Sequence, residues 1–421
     1  MIFENFGEAQ SFMLWATFAV ALIMGAVVNK TNFCTMGAVS DWVNMGDTGR
    51  MRAWLLAIAV ALLGVVVLES MGLVQADSAF PPYRAGQFLW AEHLLGGVLF
   101  GIGMTLASGC GNKCLIRIGG GNIKSVMVLL VIGVIAYFMV NPFPGSDQTL
   151  FTVLFYDWIR PLSVQMGSSQ DLGSLVASGE SVATARLVIG VVLALAVLVF
   201  VFKSADFRGN LNNIVGGIVV GAAVVGGWYI SSNVMVGTAD ESFGLQNFVA
   251  EQWDMYAGEG DVKPADSRPL SAQSFTFINP MGQTVGYGAA GFDATMLTFG
   301  IMAVAGVILG SLIWSVISRG FRFEWFASFK DFLNHFIGAV LMGFGGVLAM
   351  GCTIGQGVTG ISTLALGSFV TFAAIVFGSA LTMKIAYYRM VYEDASFLQA
   401  FATSLVDMRL LPGSMRKLEA I

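Results

Sequence analysis

The stretch His93-Leu-Leu-Gly-Gly-Val-Leu-Phe-Gly-Ile-Gly-Met-Thr-Leu-Ala-Ser-Gly-Cys110 returns later in the chain as His335-Phe-Ile-Gly-Ala-Val-Leu-Met-Gly-Phe-Gly-Gly-Val-Leu-Ala-Met-Gly-Cys352. Aligned without a gap, ten positions agree: the histidine, the glycine pairs Gly96/Gly338, Gly101/Gly343, Gly103/Gly345 and Gly109/Gly351, then Val98/Val340, Leu99/Leu341, Leu106/Leu348, Ala107/Ala349 and the closing cysteine. Each copy is an apolar, glycine-studded segment that stops at Gly-Cys and opens into a loop. Internal repetition comes first in the reading, because one frame must accommodate both copies.

The rest of the chain says what that frame sits in. Of 421 residues, 56% are hydrophobic and 11% charged, against about 25% charged in an average soluble domain. This composition is that of a membrane protein in contact with lipid, and no nucleic-acid partner is expected. Four cysteines, Cys34, Cys110, Cys114 and Cys352, are embedded in apolar sequence and do not form a disulfide framework. The first ten residues carry Glu4 and Glu8 but no basic residue, so residues 11–28 read as a retained span, not a signal peptide.

Apolar stretches of spanning length lie near 11–28, 53–72, 93–108, 125–140, 185–202, 212–230, 294–317, 335–350 and 362–383. Helices are the default, since a backbone in lipid must satisfy its own hydrogen bonds. The expected fold is an all-α polytopic membrane protein of about nine spanning helices plus short or broken ones. If the N-terminus lies outside, 16 of the 21 basic residues fall on the cytoplasmic side; Arg84, Arg160, Arg186, Lys263 and Arg268 remain outside. The positive-inside rule therefore orients the chain N-out and C-in.

That orientation makes the repeat inverted. The copies are the third and eighth spans, an odd number of crossings apart, so they run in opposite directions. Inverted repeats are typical of transporters with a substrate site near the midplane. We expect a single transmembrane domain over 1–421, with repeat halves at about 1–140 and 205–384. Two outer loops cover about 141–184 and 231–293, and the cytoplasmic tail covers 385–421. The second loop is acidic, with Asp240, Glu241, Glu251, Asp254, Glu259, Asp261 and Asp266. The tail reads as an amphipathic segment.

Three loops carry the chemistry: Asn32-Phe-Cys34-Thr-Met-Gly37, Gly109-Cys110-Gly-Asn-Lys-Cys114 and Gly351-Cys352-Thr-Ile-Gly-Gln-Gly357. A helix that breaks at membrane depth exposes backbone N–H groups, and the next helix start favours an anion. A neutral thiol is a weak donor with a polarizable sulfur. It suits a soft, sulfur-bearing anion and avoids an ionised side chain, which costs about 2.5–3.5 kcal/mol at the bilayer centre on insertion scales. Cys34, Cys110 and Cys352 are the candidate substrate-binding residues. Cys114, Lys113, Arg117 and Gln356 are secondary candidates; Gln356 aligns with Cys114, while Gly226–Ser232 is taken as the counterpart of the Cys34 stretch. His93 and His335 read as interfacial or capping residues, and Glu69 and Glu92 as water-facing span ends. Gly119-Gly-Gly121 lacks the spacing of a phosphate loop, and neither a cofactor nor a metal is expected.

The three cysteine stretches, extended to Asn32–Trp42, Ser108–Asn122 and Met350–Ser362, resemble the YeeE/YedE sulphur-transport family of bacterial inner-membrane proteins. The resemblance implies an hourglass-like centre where short helices meet. It implies uptake of thiosulfate, passed along by S–H hydrogen bonds at Cys34, Cys110 and Cys352. It also implies a small TusA-like sulfur carrier as a cytoplasmic partner and a transporter, not an enzyme. Two alternatives stay open: a membrane thiol protein of sulfurtransferase or redox type using Cys110 and Cys114, and a permease for a selenium compound or soft metal.

Overall fold

A computed structural model describes residues 1–238, 241–257, 263–264 and 269–419. Asp240, Glu259, Asp261, Asp266 and Arg268, counted above among the outer charges, lie outside these residues. In chain order the main helices are α1 (Phe6–Thr31), α2 (Thr35–Ser40), α3 (Gly49–Ser70), α4 (Trp90–Leu106), α5 (Gly111–Gly119), α6 (Ile123–Val140), α7 (Ser181–Phe202) and α8 (Leu211–Asn233). They continue with α9 (Ile278–Ala289), α10 (Phe299–Ile317), α11 (Phe329–Leu348), a short helix α12 (353–362, π-helical over Gly355–Gly360), α13 (Leu366–Val391) and α14 (Phe397–Asp407). Among the described residues, nine of these are long and apolar enough to span a bilayer: α1, α3, α4, α6, α7, α8, α10, α11 and α13. Each falls where an apolar stretch of the sequence placed it.

The order contains a symmetry. Four long helices precede α7 and four follow it, and the packing pairs them two by two. Helix α4 lies on α13 as α11 lies on α6, and α3 lies on α8 as α10 lies on α1. Helix α7 packs on α3 and has no counterpart. As a single extra crossing, it is what reverses the second set of four relative to the first.

The repeated phrase forms the crossing at the axis. A Cβ on Gly103 would lie 2.6 Å from the Gly338 carbonyl oxygen, and one on Gly338 would lie 2.6 Å from that of Gly103. The same reciprocity joins Gly96 and Gly345, at 2.7 and 2.6 Å. Residue numbers fall on α11 as they rise on α4, so the two copies are antiparallel, as the odd number of crossings requires. Lipid tails are as apolar as leucine, so close backbone packing at small residues, with interhelical hydrogen bonds, holds such helices together. The latter include Thr105 Oγ1 with Ser379 Oγ at 2.9 Å and Asn29 Nδ2 donating to Ser311 and Ser315 Oγ, each at 2.8 Å.

Three sequence expectations are corrected. His93 is 2% exposed, with Nδ1 2.8 Å from Thr371 Oγ1 and its ring filling the space left by the missing side chain of Gly367. His335 is also buried, its Nδ1 2.8 Å from the Asp331 carbonyl, so neither histidine is interfacial. Glu92 is buried against Arg160, their atoms 2.8 Å apart, because the segment between α6 and α7 folds back over the start of α4. Glu69 joins an ion network in the same region. Arg84 grips both Glu69 oxygens, and Arg186 grips both Asp171 oxygens at 3.0 and 2.7 Å and reaches Asp77 at 3.0 Å. Arg84 Nε also donates to the Thr363 carbonyl at 2.8 Å, and Leu172 N–H donates to that of Leu364. The network therefore pins the turn that follows α12.

The outer segments carry the little sheet there is: β1 (Ile2–Phe3), β2 (Gln87–Phe88), β3 (Val164–Gln165), β4 (Met235–Gly237) and β5 (Ser242–Gly244), in the orders β1-β4-β5 and β2-β3. Within the stretch read as the second outer loop, α9 is a helix packed against α6. In the tail, α14 starts at a capping box of Ser396 and Gln399 and lies on α13.

Candidate functional site

Three long helices end in the same way, and each ending delivers a cysteine. Asn32, Ser108 and Met350 take left-handed φ values of 53°, 57° and 54°. The next N–H then bonds back five residues: Phe33 to the Val28 carbonyl, Gly109 to Met104 and Gly351 to Gly346. This left-handed stop satisfies carbonyls that a helix end leaves open. One residue later comes Cys34, Cys110 or Cys352, immediately before a short helix, α2, α5 or α12 respectively. Cys34 Sγ accepts from the Gly37 N–H at 3.5 Å, and Cys352 Sγ from the Gly355 N–H at 3.4 Å. The three thiols are 6%, 1% and 0% exposed, in chain order, and all are free.

Cys110 is the middle of a track. It has both Cys34 and Cys352 as electrostatic neighbours. Beside Cys352 stand Tyr83 and Thr276, the hydroxyl of the latter facing Sγ together with the N–H groups of Phe277, Ile354 and Gly355. Lys113 stands beside both Cys34 and Cys110, its backbone N–H facing Cys110. The neighbour relations thus run from Tyr83 to Cys352, Cys110 and Cys34, with Lys113 at the Cys34 end.

Sequence reasoning missed the polar atoms along this track. The side-chain oxygens of Thr35, Tyr83, Asn112, Thr276 and Thr353 are buried without a hydrogen-bond partner among the described residues. The Thr353 hydroxyl faces Cys110 Sγ. Native proteins leave few such groups, and each calls for an explanation. Three of them, those of Tyr83, Thr276 and Thr353, neighbour Cys352 or Cys110 and describe a lining that is finished by something it holds. Thr35 and Thr353 follow a cysteine directly in the sequence, which is a readable signal; Tyr83 and Thr276 come from distant segments and give none.

The secondary candidates separate. Cys114 Sγ points at the Gly109 carbonyl, 3.9 Å away. Gln356, its aligned mate, donates Nε2 to the Ala349 carbonyl at 2.5 Å and accepts from Ser368 Oγ at 2.6 Å. Both side chains thus lean on the end of the preceding long helix. Lys113 Nζ donates to Asn32 Oδ1 at 2.6 Å, and Lys113 and Arg117 line a polar cavity of about 310 Å³ that opens beside the Cys34 loop. Near Thr276, a narrow cleft of about 10 Å³ is lined by Gln273, Ser274, Thr276, Asn279 and Gln283 at the start of α9.

The counterpart of the Cys34 stretch is also corrected. Gly226–Ser232 lies inside α8. The element that repeats α2 is α9, which packs on α6 as α2 packs on α13. Phe277 precedes it where symmetry would place a thiol. Among the described residues, no three His, Cys, Asp or Glu side chains are grouped so as to hold a metal ion.

An inverted pair of helical repeats enclosing a buried polar track between two clefts defines a polytopic membrane transporter. The sulphur transport family model matches residues 30–381, and the chain belongs to that family. It is 23% identical over 385 residues to a protein of Escherichia coli (strain K12) named thiosulfate transporter TsuA, covering 87% of this chain and 93% of that one. It is 22% identical over 373 residues to a protein of the same name from Spirochaeta thermophila (strain ATCC 700085 / DSM 6578 / Z-1203), covering 87% and 97%.

Proposed function

We propose that this protein takes up a small sulfur-bearing anion, thiosulfate, across the bacterial cytoplasmic membrane along a relay of neutral thiols. The observation that carries the reading is the track itself, three buried thiols bordered by the unpartnered hydroxyls of Tyr83, Thr276 and Thr353. Thiosulfate has a soft terminal sulfur and hard sulfonate oxygens. The thiols offer weak S–H donors to it, and the Thr and Tyr hydroxyls offer donors to the oxygens. Backbone N–H groups at Gly37 and Gly355 add partial positive charge. The names of the two relatives support the same cargo.

In this reading the N-terminus is outside and the C-terminus cytoplasmic. The whole chain is one transport unit with halves at about 1–140 and 205–384, whose short helices meet at an hourglass-like centre. The anion enters by the Thr276 cleft, meets Cys352, Cys110 and Cys34 in that order, and leaves past Lys113 and Arg117. A TusA-like carrier then receives the sulfur. The test is uptake of radiolabelled thiosulfate into proteoliposomes. Cys110→Ala and Cys352→Ala should each abolish it, and undiminished uptake by both variants would sink the relay. The redox alternative requires Cys114, whose thiol instead faces a carbonyl, so Cys114→Ala retaining uptake decides against it.

A further inference from the structure

The cavity beside the Cys34 loop holds more charge than the relay needs. Three cations line it: Lys113 and Arg117 from α5, and Arg322 from the segment between α10 and α11. Its one carboxylate, Glu324, accepts from Asn122 Nδ2, and none of the three cations makes an ion pair among the described residues. Most charged neighbours on the same face differ. Arg50 pairs with Asp41 at 2.9 Å, Lys124 with Asp331 at 2.8 Å, Arg416 with Asp407 at 2.5 Å, and Arg52 and Arg208 donate to backbone carbonyls. The positive-inside tendency explains basic residues on this face. It does not explain why three of them from two segments converge, against a single carboxylate, on one concavity of about 310 Å³.

Cations so placed form an anion site. Arginine presents donors in a planar fork that matches an oxyanion, and a partly desolvated cavity strengthens each contact. Nothing in the lining selects for sulfur, since the lining residues include no cysteine. We infer that this cavity is a second anion site, distinct from the thiol track, which takes divalent tetrahedral oxyanions such as sulfate from the cytoplasmic side and so inhibits release at Cys34. The cytoplasmic placement and the inhibition rest on the transport reading above; the binding does not.

Binding of radiolabelled sulfate to the purified full chain in nanodiscs separates the two. Wild type should bind sulfate, and the triple variant Cys34→Ala/Cys110→Ala/Cys352→Ala should bind it equally well. Arg117→Gln should weaken binding about tenfold, the value of one charge-assisted hydrogen bond. Arg117→Gln/Arg322→Gln should lose it, with unfolding midpoints showing that both variants fold. Absent sulfate binding, binding unchanged in the double variant, or binding lost in the cysteine variant would each overturn the site. The second arm is thiosulfate uptake with sulfate on the cytoplasmic side. Inhibition should be present in wild type and relieved in Arg322→Gln, which leaves the exit residues Lys113 and Arg117 in place; uptake indifferent to sulfate overturns the inhibitory role. Sulfate binding without any thiosulfate uptake would instead remove the transport reading and leave the site.

Discussion

Replacing Gly103 by alanine tests the inverted crossing on which the fold rests. The added methyl would lie 2.6 Å from the Gly338 oxygen, 2.8 Å from the Met342 nitrogen and 2.9 Å from Met342 Cγ. Two of those atoms are backbone, so the helices themselves must move apart. Overpacking of this kind costs about 1–3 kcal/mol, against a helix-propensity gain of at most about 1 kcal/mol for Gly→Ala. The net expectation is a loss of about 1–2 kcal/mol. Gly288, in α9, is the control, because nothing lies within 4 Å of its added Cβ. There the same substitution should stabilise by about 0.5–1 kcal/mol. Unfolding in detergent, followed by circular dichroism, reads both. Gly103→Ala and Gly338→Ala strike one contact, so the double variant should lose less than the sum of the singles. Because α4 ends a few residues before Cys110, Gly103→Ala should also lower thiosulfate uptake. Equal stability shifts of the same sign for Gly103→Ala and Gly288→Ala would refute the crossing.

Three further outcomes are expected. Burial alone would raise the Asp171 carboxyl, but hydrogen bonds from Arg186, Ser169 and Ser174 and the charge of Arg84 outweigh it and hold the group well below the usual carboxylate range. The stability it contributes is therefore complete above the unfolded value of about 3.9 and is lost as pH falls below it. Asp171→Asn should lower stability by about 3 kcal/mol at neutral pH and flatten the acid limb of the unfolding midpoint; an unchanged acid limb would exclude the assignment. Gln356→Ala breaks two buried hydrogen bonds and should destabilise by about 1–3 kcal/mol, whereas Cys114→Ala should be near neutral in the same detergent melt. Tyr83→Phe and Thr276→Val remove hydroxyls that have no partner, so stability should hold while the KM for thiosulfate rises about tenfold; uptake kinetics with unchanged KM would remove them from the path.

The helices were legible because spanning a bilayer demands long apolar runs, and the repeat was legible because its two copies kept the glycines of their mutual crossing. Gly96, Gly103, Gly338 and Gly345 cannot change one at a time without clashing with the other copy's backbone. His93 and Glu92 were misread because their partners, Thr371 and Arg160, lie on other segments, and His335 because the burial of its own helix turn, where it meets Asp331, is set by packing. The counterpart of α2 was missed for a simpler reason. In the first half, α2 begins within four residues of the end of α1; in the second, residues 234–277 separate α8 from α9. Proximity in sequence misled where only packing shows the equivalence.

The frame is two-fold and its lining is not, and that difference matters for a relay. A fully symmetric track would offer the anion the same environment at either end. Here one end ends in Cys34 with Lys113 behind it, while the symmetry-related position is Phe277, which turns its backbone N–H toward Cys352. Neutral donors, Tyr83 and Thr276, stand at that end, and cations stand at the other. For a dianion the fixed charges lower the energy at the cationic end relative to the neutral one. The thiols between them carry no net charge while protonated, so they add no deep well in which the ion would be trapped. In the proposed relay, the difference in affinity between the two ends would therefore reside in the departures from the repeat. Exchanging the ends tests this: Lys113→Gln should slow uptake more than Thr276→Val slows it at saturating external thiosulfate, where entry is no longer limiting. The reverse ranking would place the bias at the outer cleft instead.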